Sequence, residues 1–170
     1  MKNISINQGR KGDFMNQIQF LLDEGESEKA RVEALNHLKQ EGNNADLNYL
    51  CAVSHDAQGM EREAIPFYEK AIDHGIQGDR RTQTYIQWGS SLRCIGKYHE
   101  AREVLEKGAQ EFPGNPAIQV FHAMTLYNLK QSPQAVEQLL AVLGSHADSP
   151  WIEKYKKAIS FYAAQLDQTW

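Results

Sequence analysis

With 170 residues, 41% of them hydrophobic and 24% charged, the protein has enough material for a packed core and lacks the make-up of a disordered segment. Its formal charge of −4 argues against a nucleic-acid footprint. Two cysteines, Cys51 and Cys94, exclude a disulfide framework and suit a reducing compartment.

Residues 1–10 are polar and read as a flexible N-terminus. No signal-peptide stretch is apparent over Met1 to Phe14, and no run reaches the roughly 20 apolar residues that span a bilayer. The expectation is a cytoplasmic protein without a membrane partner. From Phe14 the apolar spacing becomes helical, with Phe14, Ile18, Leu21 and Leu22 on one face as far as Gly25. A second helix starts at Ser27 and ends before Gly42. Ala45 to Gln58 and Arg62 to His74 follow, separated by Gly59, with Pro66 in the first turns of the second of these. Gly75 and Gly78 read as a longer connection. Thr84 to Ile95 and His99 to Glu111 flank Gly96, and Phe112-Pro113-Gly114-Asn115-Pro116 is a turn by composition. Ala117 to Leu129, a helix from Ser132, and Trp151 to Asp167 complete a count of nine, the last two opened by Ser-Pro pairs.

These elements repeat. Ala30, Ala64, Ala101 and Ala135 are 34, 37 and 34 residues apart, and Gly25, Gly59 and Gly96 each precede an alanine by five. A period near 34 predicts an array of helix-turn-helix units, with boundaries at about 11–44, 45–81, 82–115 and 116–149 and a C-terminal helix over 150–168, all within one domain of residues 11–170. In register, Ala52, Gly89 and Ala123 align on the first helices. On the second helices Tyr68, Leu105 and Leu139 align, as do Ala71, Gly108 and Val142. Small residues are expected where two helices cross, because a larger side chain would push the axes apart.

The stretches NYLCAVSHDAQGMEREAIPFYEKAI and YIQWGSSLRCIGKYHEAREVLEKGAQEFPGN resemble the tetratricopeptide repeat family, in Gly89, Gly96, Ala101 and Pro113 above all. The short length, four repeats and terminal helix are similar to small bacterial proteins of that family. Lys130 departs from the pattern where a stop glycine is expected, and Asn48 and Gln119 depart where the family prefers an aromatic. The resemblance implies an all-α, right-handed α-α superhelix closed by a C-terminal capping helix. It also implies a concave groove lined by the first helix of each repeat, holding a partner protein's helix or peptide. The groove-facing residues it implies are Tyr49, Val53 and Asp56, then Ile86, Ser90 and Arg93, then Val120, Met124 and Tyr127, with Met15, Gln19 and Leu22 extending the row. Each set is spaced i, i+4, i+7 and shares one helical face. Arg93, with Asn128 marginal, is too sparse a set to grip the C-terminus of a partner, so an apolar helix or a second copy fits better. The bland alternative is that this row is simply core. On the last helix, Trp151, Tyr155, Ala158, Ile159 and Tyr162 form one broad face, either a cap for the stack or, with Phe161 and Trp170, a homodimer contact.

Catalysis is not expected. Cys51 and His55 are four apart and could touch, yet they align with the packing positions Trp88 and Leu92, and no third group or oxyanion donor is identifiable. The six histidines form no i, i+4 pair for a metal, and the glycines are helix stops, not a phosphate loop, so no metal or cofactor is expected. Arg80-Arg81 and Lys154, Lys156 and Lys157 are the basic clusters, read as ordinary surface charge.

Overall fold

A computed structural model of the protein describes residues 4–146, 148–163 and 168–170, and these are helical apart from short connections. Nine helices lie among the described residues: α1 (Ile4–Asp23), α2 (Ser27–Leu38), α3 (Ala45–Asp56), α4 (Glu61–Asp73), α5 (Gly78–Cys94), α6 (Tyr98–Glu111), α7 (Pro116–Asn128), α8 (Ser132–His146) and α9 (Pro150–Ala163). The expected continuation of the last helix over 164–167 lies outside the described residues, as do residues 1–3. Contacts gather the protein into two compact units, one up to Thr84 and one from Tyr85, with the division inside α5.

The glycine-to-alanine beat has a backbone cause. Gly25, Gly59 and Gly96 have φ of 78°, 69° and 79°, the left-handed conformation that closes a helix. The next N–H then reaches back across the last turn: Glu26 to the Leu21 carbonyl at 2.8 Å, Met60 to His55 at 3.1 Å, and Lys97 to Leu92 at 2.9 Å. The residue that makes this bond also opens the next helix, its carbonyl accepting from Ala30, Ala64 or Ala101. The alanine therefore falls at a fixed place one turn into the second helix, and all three are fully buried.

The fourth repeat uses the same geometry without the glycine. Lys130 has φ 63°, and Gln131 N–H bonds the Leu126 carbonyl at 2.9 Å. A side chain in this conformation costs about 1–2 kcal/mol. Lys130→Gly is expected to raise stability by about 0.5–1 kcal/mol after the entropy of glycine in the unfolded state is subtracted. Urea denaturation checks this; a fall would mean that the lysine side chain contributes more than its backbone costs.

In the first unit, α1 packs on α2 and α3, α2 on α3, and α3 on α4. Ile18, Ala34, Leu47, Leu50, Cys51, Ala52, Tyr68 and Ala71 fill the space between them. Three local differences from the sequence reading have physical reasons. Helix α1 runs from Ile4, well before the apolar periodicity begins, because a helix nucleated by packing at Ile18 propagates cheaply into a polar stretch. The extra residues after α4 lengthen α5 instead of a loop. Gly75 closes α4 and Ile76 is buried, and α5 is 17 residues long against 12 in α3 and 13 in α7. Pro66 lies in the second turn of α4, so it forgoes one ladder bond, to the Arg62 carbonyl.

In the second unit, α6 packs on α7, and α7 on α8 and α9. Asn115 caps α7, its side chain accepting from Ala117 and Ile118 N–H at 3.0 and 3.1 Å, and Pro116 is the first helical residue. Ser149 caps α9, accepting from Trp151 N–H at 3.3 Å. The small residues lie where expected. A Cβ on Gly89 would stand 2.5 Å from Leu105 Cγ, and one on Gly108 would stand 2.9 Å from Tyr85 Cβ.

Candidate functional site

In the first unit the expected groove residues are tied into the fold. Tyr49 is buried and donates its hydroxyl to Gln83 Oε1 at 2.6 Å. Burial pushes that hydroxyl up to about 12, against a lowering influence from Arg80, whose guanidinium lies 5.7 Å from the ring centre. Arg80 also pairs with Asp46 at 2.7 Å. Asp56 is half-buried and accepts from the buried Tyr68 hydroxyl at 2.6 Å, linking α3 to α4. Val53 is half-buried.

In the second unit the row is expected on one face of α5 and α7. Ile86, Ser90 and Arg93 come from α5, and Val120, Met124 and Tyr127 from α7. Ile86, Arg93, Val120 and Met124 are buried, and Ser90 and Tyr127 are half-buried. What lies over this face is α9. Its Trp151, Tyr155, Ala158, Ile159 and Tyr162 pack against a core of Ile86, Ala117, Ile118 and Phe121, and Ile152, Ile159 and Tyr162 pack against Val120, Met124 and Val142. Phe121 meets the edges of both tyrosine rings, with centroids 5.7 Å from Tyr155 and 6.3 Å from Tyr162. The aromatic face of the last helix was legible in the sequence; its target was not. At the end of α5, the Cys94 carbonyl, a group that helix geometry leaves without an internal partner, accepts from Trp170 N–H at 2.9 Å.

Arg93 and Tyr162 form the centre of the covered face. The guanidinium carbon lies 4.3 Å from the Tyr162 ring centre, a cation–π contact. The Tyr162 hydroxyl is 3.4 Å from Ser90 Oγ and from Cys94 Sγ. Burial, reinforced by Cys94, pushes that hydroxyl up to about 12, so it stays neutral at physiological pH. Arg93 is 1% exposed, and its Nη1 donates to Asn128 Oδ1 at a long 3.4 Å. Its Nε and Nη2 have no hydrogen-bond partner among the described residues. An arginine cannot shed its charge, and a buried cation so sparsely satisfied is costly.

The Cys51–His55 pair does not have the geometry of an activated nucleophile. His55 Nδ1 is 2.7 Å from the Cys51 carbonyl, which can only accept, so that nitrogen carries a proton and cannot take one from the thiol 3.7 Å away. Burial pushes the Cys51 thiol up to about 12. Native-state alkylation of Cys51 at pH 8 is expected to run at least ~100-fold slower than that of a free thiol. Mass spectrometry of iodoacetamide-treated protein checks this, and prompt labelling would contradict it. Among the described residues no cluster of three or more His, Cys, Asp or Glu could hold a metal ion, and no helix is long and apolar enough to cross a membrane.

Comparison with known proteins agrees with this architecture. No curated protein matches the sequence. Among solved structures the protein is similar to YrrB, described as a TPR protein with an unusual peptide-binding site. The TM-score is 0.68 at 19% identity, over 91% of this protein and 77% of that one. A profile described as "Tetratrico peptide repeat" matches residues 45–166, from the start of α3 to beyond the described end of α9. The protein belongs to the tetratricopeptide repeat family.

Proposed function

We propose that the protein is a protein–protein interaction module, an adaptor or chaperone-like scaffold of the cytoplasm, that holds a partner's helix on the α5–α7 face of its second unit. The observation that carries this reading is the amphipathic helix already seated there. Of the residues expected to line a groove, Ile86, Ser90, Arg93, Val120 and Met124 are ones that α9 touches. Tyr49, Val53 and Asp56 are the first unit's share of the expected row. The likeness to a protein with a peptide-binding site supports the same class of function. A partner helix on this face would take the place of α9, so loosening α9 should expose the site. In a pull-down from the cells that make the protein, Trp151→Ala/Tyr155→Ala is expected to increase capture of a specific partner, and Met124→Glu to abolish it. Capture indifferent to both substitutions would sink the reading.

A homodimer is the second reading, and α8 favours it. Val136, Leu139, Leu140 and Leu143 form one apolar stripe and are 53%, 38%, 62% and 66% exposed. Such a stripe is a candidate self-contact. Light scattering at high micromolar concentration decides this, and a monomer there would remove it.

A further inference from the structure

The partner's chemistry is written in the part of Arg93 that α9 leaves unused. This inference rests on the reading of the α5–α7 face as a docking site. Tyr162 stacks on the guanidinium, and Asn128 takes Nη1. The atoms without hydrogen-bond partners among the described residues are Nε and Nη2, which lie on the same edge of the guanidinium plane. That edge is the fork that receives a carboxylate with two parallel N–H···O bonds. The occupant in place now, Tyr162, presents a neutral hydroxyl, directed to Ser90 and Cys94. The site thus holds a buried, permanent positive charge, 1% exposed, with two donors unanswered among the described residues and an uncharged ring over it. The Tyr162 ring beside it also packs against Ile86, Val120, Phe121 and Met124.

We propose that the face is built for a partner's amphipathic helix that carries an aspartate or glutamate at the place of Tyr162, its carboxylate bidentate on Arg93 Nε and Nη2, and apolar residues at the places of Tyr155 and Ile159. Such a helix would outcompete α9 because it satisfies the two donors that α9 leaves unsatisfied. The charge-assisted pair forms in a dry setting, where it strengthens binding more than it would in water.

The test uses the full-length protein with Trp151→Ala/Tyr155→Ala to loosen α9, and three synthetic peptides spanning residues 150–163: unchanged, Y162E and Y162Q. Calorimetric titration is expected to show Y162E binding at least ~10-fold tighter than Y162Q, with the difference gone when the protein also has Arg93→Met. Equal binding of the three peptides would overturn the carboxylate proposal and leave the docking reading standing. Binding by none of them would overturn the docking reading. If the loosened protein fails to fold, the socket is read within the full-length protein by comparing the denaturation midpoints of Tyr162→Glu and Tyr162→Gln. The midpoint of Tyr162→Glu is expected to be higher with Arg93 present and no higher in an Arg93→Met background. No difference with Arg93 present overturns the proposal.

Discussion

Gly89→Ala is expected to lower the stability of the folded protein by about 1–3 kcal/mol, although it adds a single methyl group. The new Cβ would stand 2.5, 2.8 and 2.9 Å from three atoms of the Leu105 side chain. Leu105 is fully buried within the cluster that includes Ile86, Ile118 and Phe121, so it cannot swing into open space. Relief requires either a strained leucine rotamer or a wider separation of α5 and α6. The same argument applies to Ala101→Leu on α6, where a fully buried alanine would gain three carbons. Gly89→Ala/Leu105→Ala makes the test specific. Removing the leucine should recover part of the loss caused by the glycine change, and purely additive effects in urea denaturation would show that the two do not meet.

Arg93→Met carries the opposite sign. A methionine keeps the length and the contact with the Tyr162 ring while removing a buried charge whose Nε and Nη2 lack hydrogen bonds among the described residues. Replacing buried ionic groups by apolar ones of similar volume is often neutral or stabilising, and an increase of about 1–3 kcal/mol is expected here. A loss of stability of more than about 1 kcal/mol would mean that the cation–π contact and the Asn128 bond outweigh the desolvation of the guanidinium. A residue that lowers stability where an apolar one would serve better is what a binding site imposes on a fold.

The features legible in the sequence are those in which one residue type answers to one backbone or packing demand. The left-handed helix ends at Gly25, Gly59 and Gly96, the buried alanines five residues on, the Ser149-Pro150 helix start, and the close approach at Gly89 and Gly108 are of this kind. Lys130 shows the limit in one direction: the hydrogen bonds of the turn persist where the residue that favours it is missing. The start of α5 shows it in another. Gly78-Asp79 looks like a turn, yet the helix begins there, with Arg80 held to Asp46 on α3 and Thr84 bonded back to the Arg80 carbonyl. The candidate site was half legible. The family resemblance implied the faces of α5 and α7, and periodicity identified that of α9, because periodicity reports that a stripe is apolar. It does not report which other stripe will cover it, so the pairing of α9 with α5 and α7 had no local signal. Nor did the burial of Arg93, since a lone arginine on a helix is by default exposed.

Native-state hydrogen exchange of the full-length protein tests most directly whether the α5–α7 face is a site or simply core. Of the residues by which α9 holds on, Tyr155 is buried but Trp151, Ile152, Ala158, Ile159 and Tyr162 are only partly so, whereas Ile118, Phe121, Ala123 and Met124 of α7 are buried. If the face is a docking site that α9 can vacate, amides of α9 should exchange at least ~100-fold faster than those of α7, through an opening that low denaturant does not accelerate. If α9 and α7 instead exchange together, through one opening equal to global unfolding, α9 is an integral part of the core and the account is contradicted.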